Sequence, residues 1–109
     1  MEDREILEAA AAAAREARPV ALATVVQVKG STPRDVGSKM LIGADGEQVG
    51  TIGGGCGEAD VIETARQVLD TGVPQLIRVE LTDDVESFSP AVCGGVMDIF
   101  IERTEGSLQ

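Results

Sequence analysis

Apolar residues recur at Ile6, Leu7, Ala10, Ala14 and Ala17, with Glu5, Glu8, Arg15 and Glu16 elsewhere around the same turns. That spacing predicts an amphipathic first helix, capped by Asp3 and running to about Ala17. The six alanines from 9 to 14 favour helix and are small enough to let it lie close against a sheet. Pro19 stops it. The pattern then changes. VALATVVQV (20–28) is apolar at nearly every position and rich in β-branched residues, which suits a strand covered on both faces.

KGSTPRDVG (29–37) breaks regular structure with two glycines and a proline, and Thr32 before Pro33 is pushed to extended backbone. KMLI (39–42) and QVGTI (48–52) flank GADGE, whose Asp45-Gly46 is a strong hairpin signal. A glycine-rich stretch, 53–57, follows. Val61, Ile62, Ala65, Val68 and Leu69 then repeat at helical spacing, and Gly72 supplies the stop. QLIRVEL (75–81) and GVMDIFIE (95–102) alternate as strands with one wetter face, separated by the acidic TDDVESFSPAV. The order α-β-β-β-α-β-β predicts a small α/β (α+β-like) domain. Its sheet is expected to be mixed, with about five strands and two main helices, and residues 1–109 to form one domain.

Composition narrows the picture. The chain has 109 residues, no Trp or Tyr, and only Phe88 and Phe100 as aromatics, so the core must be Val, Ile, Leu and Ala. No apolar run reaches the length of a membrane span, and MEDREILEAA lacks the basic start and apolar stretch of a secretory signal. A cytoplasmic protein with no membrane association is the expectation. A net charge of −10 and the lack of stacking aromatics argue against nucleic-acid binding. The bases are nevertheless concentrated: Lys29, Arg34 and Lys39 share eleven residues with one acid, Asp35. With no histidine, imidazole metal sites and His-based acid–base chemistry are excluded.

The candidate chemistry lies in GTIGGGCGEADVIETA (50–65) and AVCGG (91–95). A strand, a glycine-rich turn and a helix can aim free backbone N–H groups at an anion, helped by the helix dipole. The stretch fits neither the P-loop nor the dinucleotide signature. A tight turn needs one or two positive-φ glycines; Gly53, Gly54, Gly55 and Gly57 exceed that and point to a ligand approaching the backbone. Cys56 stands near a helix start, which favours thiolate. Cys93, before Gly94 and Gly95, has the same open surroundings, although a free cysteine is also a common small core residue. Two thiols cannot complete a structural zinc site; they can form a disulfide or face one soft ligand. Arg34, held after Pro33, and Lys39 suit a phosphate or carboxylate, or else belong to a solvated turn. Glu58 complements the helix dipole or caps backbone donors, or else touches a ligand. We expect both cysteines on one side of the sheet, at strand ends. Residues 53–57 are expected to offer at least two unpartnered N–H groups near Arg34.

GSTPRDVGSKMLI, GTIGGGCGEADVIETA and CGGVMDIFIE, in this order, resemble the N-terminal domain of the XdhC/CoxI family over roughly residues 5–102. Members are accessory factors of xanthine dehydrogenase and related molybdenum hydroxylases. The resemblance implies a chaperone rather than an enzyme. Its cargo would be the molybdenum cofactor (molybdopterin), and its partners a cysteine desulfurase and the apo molybdenum hydroxylase. On that reading Gly53, Gly54, Gly55, Gly57 and Arg34 or Lys39 meet the phosphate. Cys93 or Cys56 meets the molybdenum, beside Glu58, Gly94 and Gly95. Family members continue into a C-terminal Rossmann-like domain, which these residues lack; a separate chain or a homo-oligomer is expected in its place. Two other readings stay open: a thiol-dependent sulfur-transfer or redox protein, and a ligand-free interaction module.

Overall fold

A computed structural model describes residues 2–30, 32, 35–52, 58–80 and 95–104. The elements come in the expected order. Helix α1 (Glu2–Arg15) precedes β1 (Val20–Lys29), β2 (Lys39–Gly43) and β3 (Gln48–Gly50); helix α2 (Glu58–Thr71), β4 (Gln75–Glu80) and β5 (Val96–Thr104) follow. The strands form one sheet in the order β3-β2-β1-β5-β4. All four pairings are antiparallel, so the sheet is not the mixed one expected. The reason is the path of α2. It carries the chain from one edge strand, β3, to the other, β4, so the strands it joins are never neighbours.

Alternation along the strands divides the core between two faces. Ala21, Ala23, Val25, Met40, Ile42, Met97, Ile99 and Ile101 pack with Val61, Ala65 and Val68 of α2. On the opposite face Val20 and Leu41 pack with Ile6 and Ala13 of α1, flanked by Ala9, Ala10, Leu22 and Val49. The buried stripe of α1 is therefore Ile6, Ala9, Ala10 and Ala13, at i, i+3, i+4 and i+7. Leu7, expected inside, lies off that stripe and is 58% exposed. In α2 the expected face holds, with Val61, Ala65 and Val68 buried and Ile62 and Leu69 packed at its margin.

Both helices end on left-handed residues. Gly72 (φ +77°) closes α2, its N–H donating to the Val68 carbonyl at 2.8 Å, while Arg103 Nη1 donates to the Leu69 carbonyl at 2.8 Å. The first helix stops two residues short of Ala17. There the Arg18 N–H donates to the Ala13 carbonyl at 2.8 Å and the Ala17 N–H to the Ala14 carbonyl at 3.1 Å. This is a Schellman end, with Ala17 at φ +56° where glycine is usual. Asp3 falls inside the first turn of α1 instead of before it.

The predicted hairpin at Asp45-Gly46 forms: Gly46 is left-handed and the Gly43 N–H donates to the Glu47 carbonyl at 2.8 Å. Strand β3 ends at Gly50 instead of Ile52. Gly50 turns to φ +84°, and a Cβ there would lie 2.8 Å from Ile6 Cδ1 and 2.9 Å from the Lys39 carbonyl oxygen.

Substitutions at two of the left-handed positions, Ala17 and Gly50, should act in opposite directions. Ala17→Gly should relieve left-handed strain and stabilise the domain by about 0.5–1 kcal/mol, after allowing for the greater chain entropy of glycine. The check is a rise in the melting temperature. Gly50→Ala should instead destabilise by about 1–3 kcal/mol or more, because backbone on one side and a core side chain on the other leave no room. Urea denaturation should show a lower midpoint for that variant.

Candidate functional site

Antiparallel pairing decides which chain ends meet. Strand β1 finishes at Lys29, opposite Val96 at the start of β5, and Glu80 at the end of β4 is also opposite Val96. Lys39 opens β2 opposite Thr24, and Gly50 closes β3 opposite Met40. All of these lie toward one end of the sheet. The chain therefore leaves the sheet at that end before each of the three motifs. It returns as strand after two of them, between Lys29 and Lys39 and between Glu80 and Val96, and resumes as α2 at Glu58 after the one that follows Gly50. The opposite end carries the α1–β1 turn, the β2–β3 hairpin and the α2–β4 connection.

Several predicted site residues lie outside the described residues: Arg34, Gly53, Gly54, Gly55, Cys56, Gly57, Cys93 and Gly94. The expectations about facing thiols and free N–H groups fall there too. The remaining three are placed. Lys39 is half-buried at the start of β2, its Nζ 3.5 Å from the Gly37 carbonyl oxygen. Gly95 is buried immediately before β5. Glu58 is the first residue of α2, in an acidic first turn with Asp60.

The surroundings of Lys39 follow from the sheet. Val25, the last buried residue of β1, donates its N–H to the Ser38 carbonyl at 2.9 Å and accepts from the Gly37 N–H at 2.8 Å. The end of the basic segment is thereby held on the central strand, with Gly37 at φ +99° making the turn. Beyond Val25 the pairing with β5 shifts register, leaving Val26 exposed before Gln27 pairs with Asp98.

Glu58 also makes a contact that none of its expected roles included. Its Oε2 accepts a hydrogen bond from the Thr51 hydroxyl, joining the residue after β3 to the first residue of α2. The pair is half-buried and brackets the glycine stretch from both sides. Thr51 carries no signal in the sequence that would single it out, since two residues seven apart meet only once β3 and α2 are placed. Among the described residues no three Cys, Asp or Glu side chains gather as a metal site. A shallow cavity lined by Ala44, Arg66, Leu69 and Asp70 opens beside the β2–β3 hairpin, and no motif residue lines it. No described helix is long and apolar enough to cross a membrane.

These features define a small α+β domain whose motif-bearing connections emerge together from one end of a sheet sandwiched between two helices. The model of the XdhC and CoxI family matches residues 7–80, and the chain belongs to that family. It is 42% identical to YqeB of Escherichia coli (strain K12) over 76% of the chain and 15% of that protein. It is 37% identical to a probable xanthine dehydrogenase subunit of Bacillus subtilis (strain 168), over 75% of the chain and 26% of the relative. Identity to the molybdenum cofactor insertion chaperone PaoD of Escherichia coli (strain K12) is 32%, over 69% and 24%. The crystal structure of a xanthine dehydrogenase from Bacillus halodurans superposes with a TM-score of 0.78 at 32% identity. That match covers 94% of this chain and 30% of the other. The chain thus spans about a quarter or less of the curated relatives it matches.

The Thr51–Glu58 contact can be tested alone. Thr51→Val keeps the side-chain shape but removes the donor, and should cost about 1 kcal/mol for a half-buried carboxylate partner. Thr51→Ser should recover most of the loss in a thermal melt.

Proposed function

We propose that this domain binds the molybdenum cofactor as cargo and serves the maturation of a xanthine dehydrogenase-like molybdenum hydroxylase in the cytoplasm. A cysteine desulfurase installs the sulfido ligand on the cargo, and the apo-hydroxylase receives it. The observation that carries this reading is family membership over residues 7–80, which hold the first two motifs, with PaoD among the relatives. The convergence of the flanking strand and helix ends at one end of the sheet supports it.

The roles follow from chemistry. Molybdopterin carries a phosphate, suited to backbone N–H groups of Gly53, Gly54, Gly55 and Gly57 and to the charge of Arg34 or Lys39. Molybdenum in this setting accepts a soft thiolate, from Cys93 in preference to Cys56, because Cys93 is two residues before the buried Gly95 and the rigid strand β5. Gly94 and Gly95 keep side chains out of the approach to that thiol. Glu58 contributes through its bond to Thr51. A single domain leaves one side of such a cargo open; a second copy of the chain or a separate Rossmann-domain chain covers it.

The test is reconstitution with cofactor, read by pterin fluorescence and molybdenum content. Cys93→Ser and Cys56→Ser should bind less cargo at unchanged melting temperature, with the larger loss at Cys93, since serine is near-isosteric but a hard ligand. Arg34→Ala should weaken binding more at low than at high ionic strength. If both serine variants load like the parent, the thiols only pack.

A further inference from the structure

Strand β4 is the longer of the two sheet edges, six residues against three in β3. Long open edges invite pairing with another chain and are normally blunted by like charges or proline. Pro74 stands before β4 and blunts only its start. Along the strand the alternate residues Leu76, Arg78 and Glu80 are exposed, Leu76 at 63%. Their face is the one opposite α2, because Val79 is buried with the α2 cluster and Ile77 packs at its margin.

Arg78 already binds inward. Its Nε donates to Asp98 Oδ1 of β5 at 2.9 Å and its Nη2 to Asp98 Oδ2 at 3.4 Å. That hydrogen bond, and then the guanidinium charge, hold the Asp98 carboxyl below its ordinary value against the opposing effect of desolvation. A guanidinium has five donors, so it can serve a second carboxylate on its other side. Glu80, two residues on, makes no ion pair among the described residues.

We propose that the end of β4, Arg78–Glu80, pairs with the same three residues of a second copy of this chain, antiparallel about Val79, so that Arg78 of each copy meets the partner's Glu80. Two-fold pairing keeps the faces in phase only if a residue lies on the axis. An axis through Arg78 sets two guanidiniums opposite each other, which is repulsive. An axis through Ile77 sets Arg78 against the partner's Leu76 and wastes both charges. The axis through Val79 forms the Arg78–Glu80 pair twice and lines up Asp98, Arg78 and the partner's Glu80 as alternating charges across three strands. This gives a surface to the self-association proposed above and is read by molecular mass, separately from cofactor binding.

The net charge of −10 on each copy opposes association at low salt, so the measurement belongs at physiological ionic strength, where screening acts beyond about 8 Å. Sedimentation velocity of the 109-residue chain over a concentration series should show a monomer–dimer equilibrium. Glu80→Arg, which leaves the Arg78–Asp98 pair intact, should raise the dissociation constant by about tenfold or more. Arg78→Glu should do the same, and an equimolar mixture of the two variants should dimerise again, because each supplies the charges the other lacks. Circular dichroism checks the fold; if Arg78→Glu does not fold, Glu80→Arg decides alone. A parent chain that stays monomeric up to millimolar concentration, a Glu80→Arg chain that dimerises like the parent, or a mixture of folded variants that stays monomeric would each overturn the proposal.

Discussion

The pairing of β1 with β5 holds the domain together. It runs from Val20 opposite Thr104 to Lys29 opposite Val96, and it joins the N-terminal β1–β2–β3 unit to the C-terminal β4–β5 unit. Residues from the two ends of the chain supply the centre of the core: Ala21, Ala23 and Val25 lie beside Ile99 and Ile101 beneath α2. The two strands β4 and β5 are at best marginally stable by themselves, and the centre of the core forms only when both units meet. The contact is also long-range in sequence, so ordering it costs loop entropy that only the completed core offsets.

Coverage of the sheet follows from side-chain size. Helix α1 is mostly alanine on its buried stripe, and it approaches β2 and β3 so closely that Gly50 must lack a side chain beneath Ile6. It covers that half of its face only. Helix α2 brings Val61 and Val68, with Ala65 between, across the other face. Over β4 and β5, the face turned from α2 carries Leu76, Arg78, Asp98 and Phe100, and the Arg78–Asp98 pair occupies it with charge.

The same pairing organises the end of the sheet where the motif segments are anchored. With every strand antiparallel, β1, β3 and β4 finish where β2 and β5 begin. The segments that carry the basic, glycine-rich and second cysteine motifs are each anchored there, by Lys29 and Lys39, by Gly50 and Glu58, and by Glu80 and Gly95. These anchors lie together only because the sheet brings them there. The hydrogen bond between Thr51 and Glu58 adds a local tie at the base of one of the three.

Much of this was legible in the chain. Helical spacing, β-branched runs, the Asp45-Gly46 hairpin and the Gly72 stop were local signals, and local sterics and burial settled them as expected. The motif order alone was enough to point to the family. What the sequence left open depended on partners distant along the chain. Periodicity cannot say whether α2 joins neighbouring strands or opposite edges, and so it could not distinguish a mixed from an antiparallel sheet. It placed Leu7 inside, because the choice between two overlapping helical stripes is made by what α1 packs against. Ala17 took a left-handed conformation with no glycine to announce it, because Pro19 and the turn into β1 required the bend. The role of Glu58 was decided by Thr51, and that of Arg78 by Asp98. Residue types set which chemistry was available; the antiparallel register decided which groups meet.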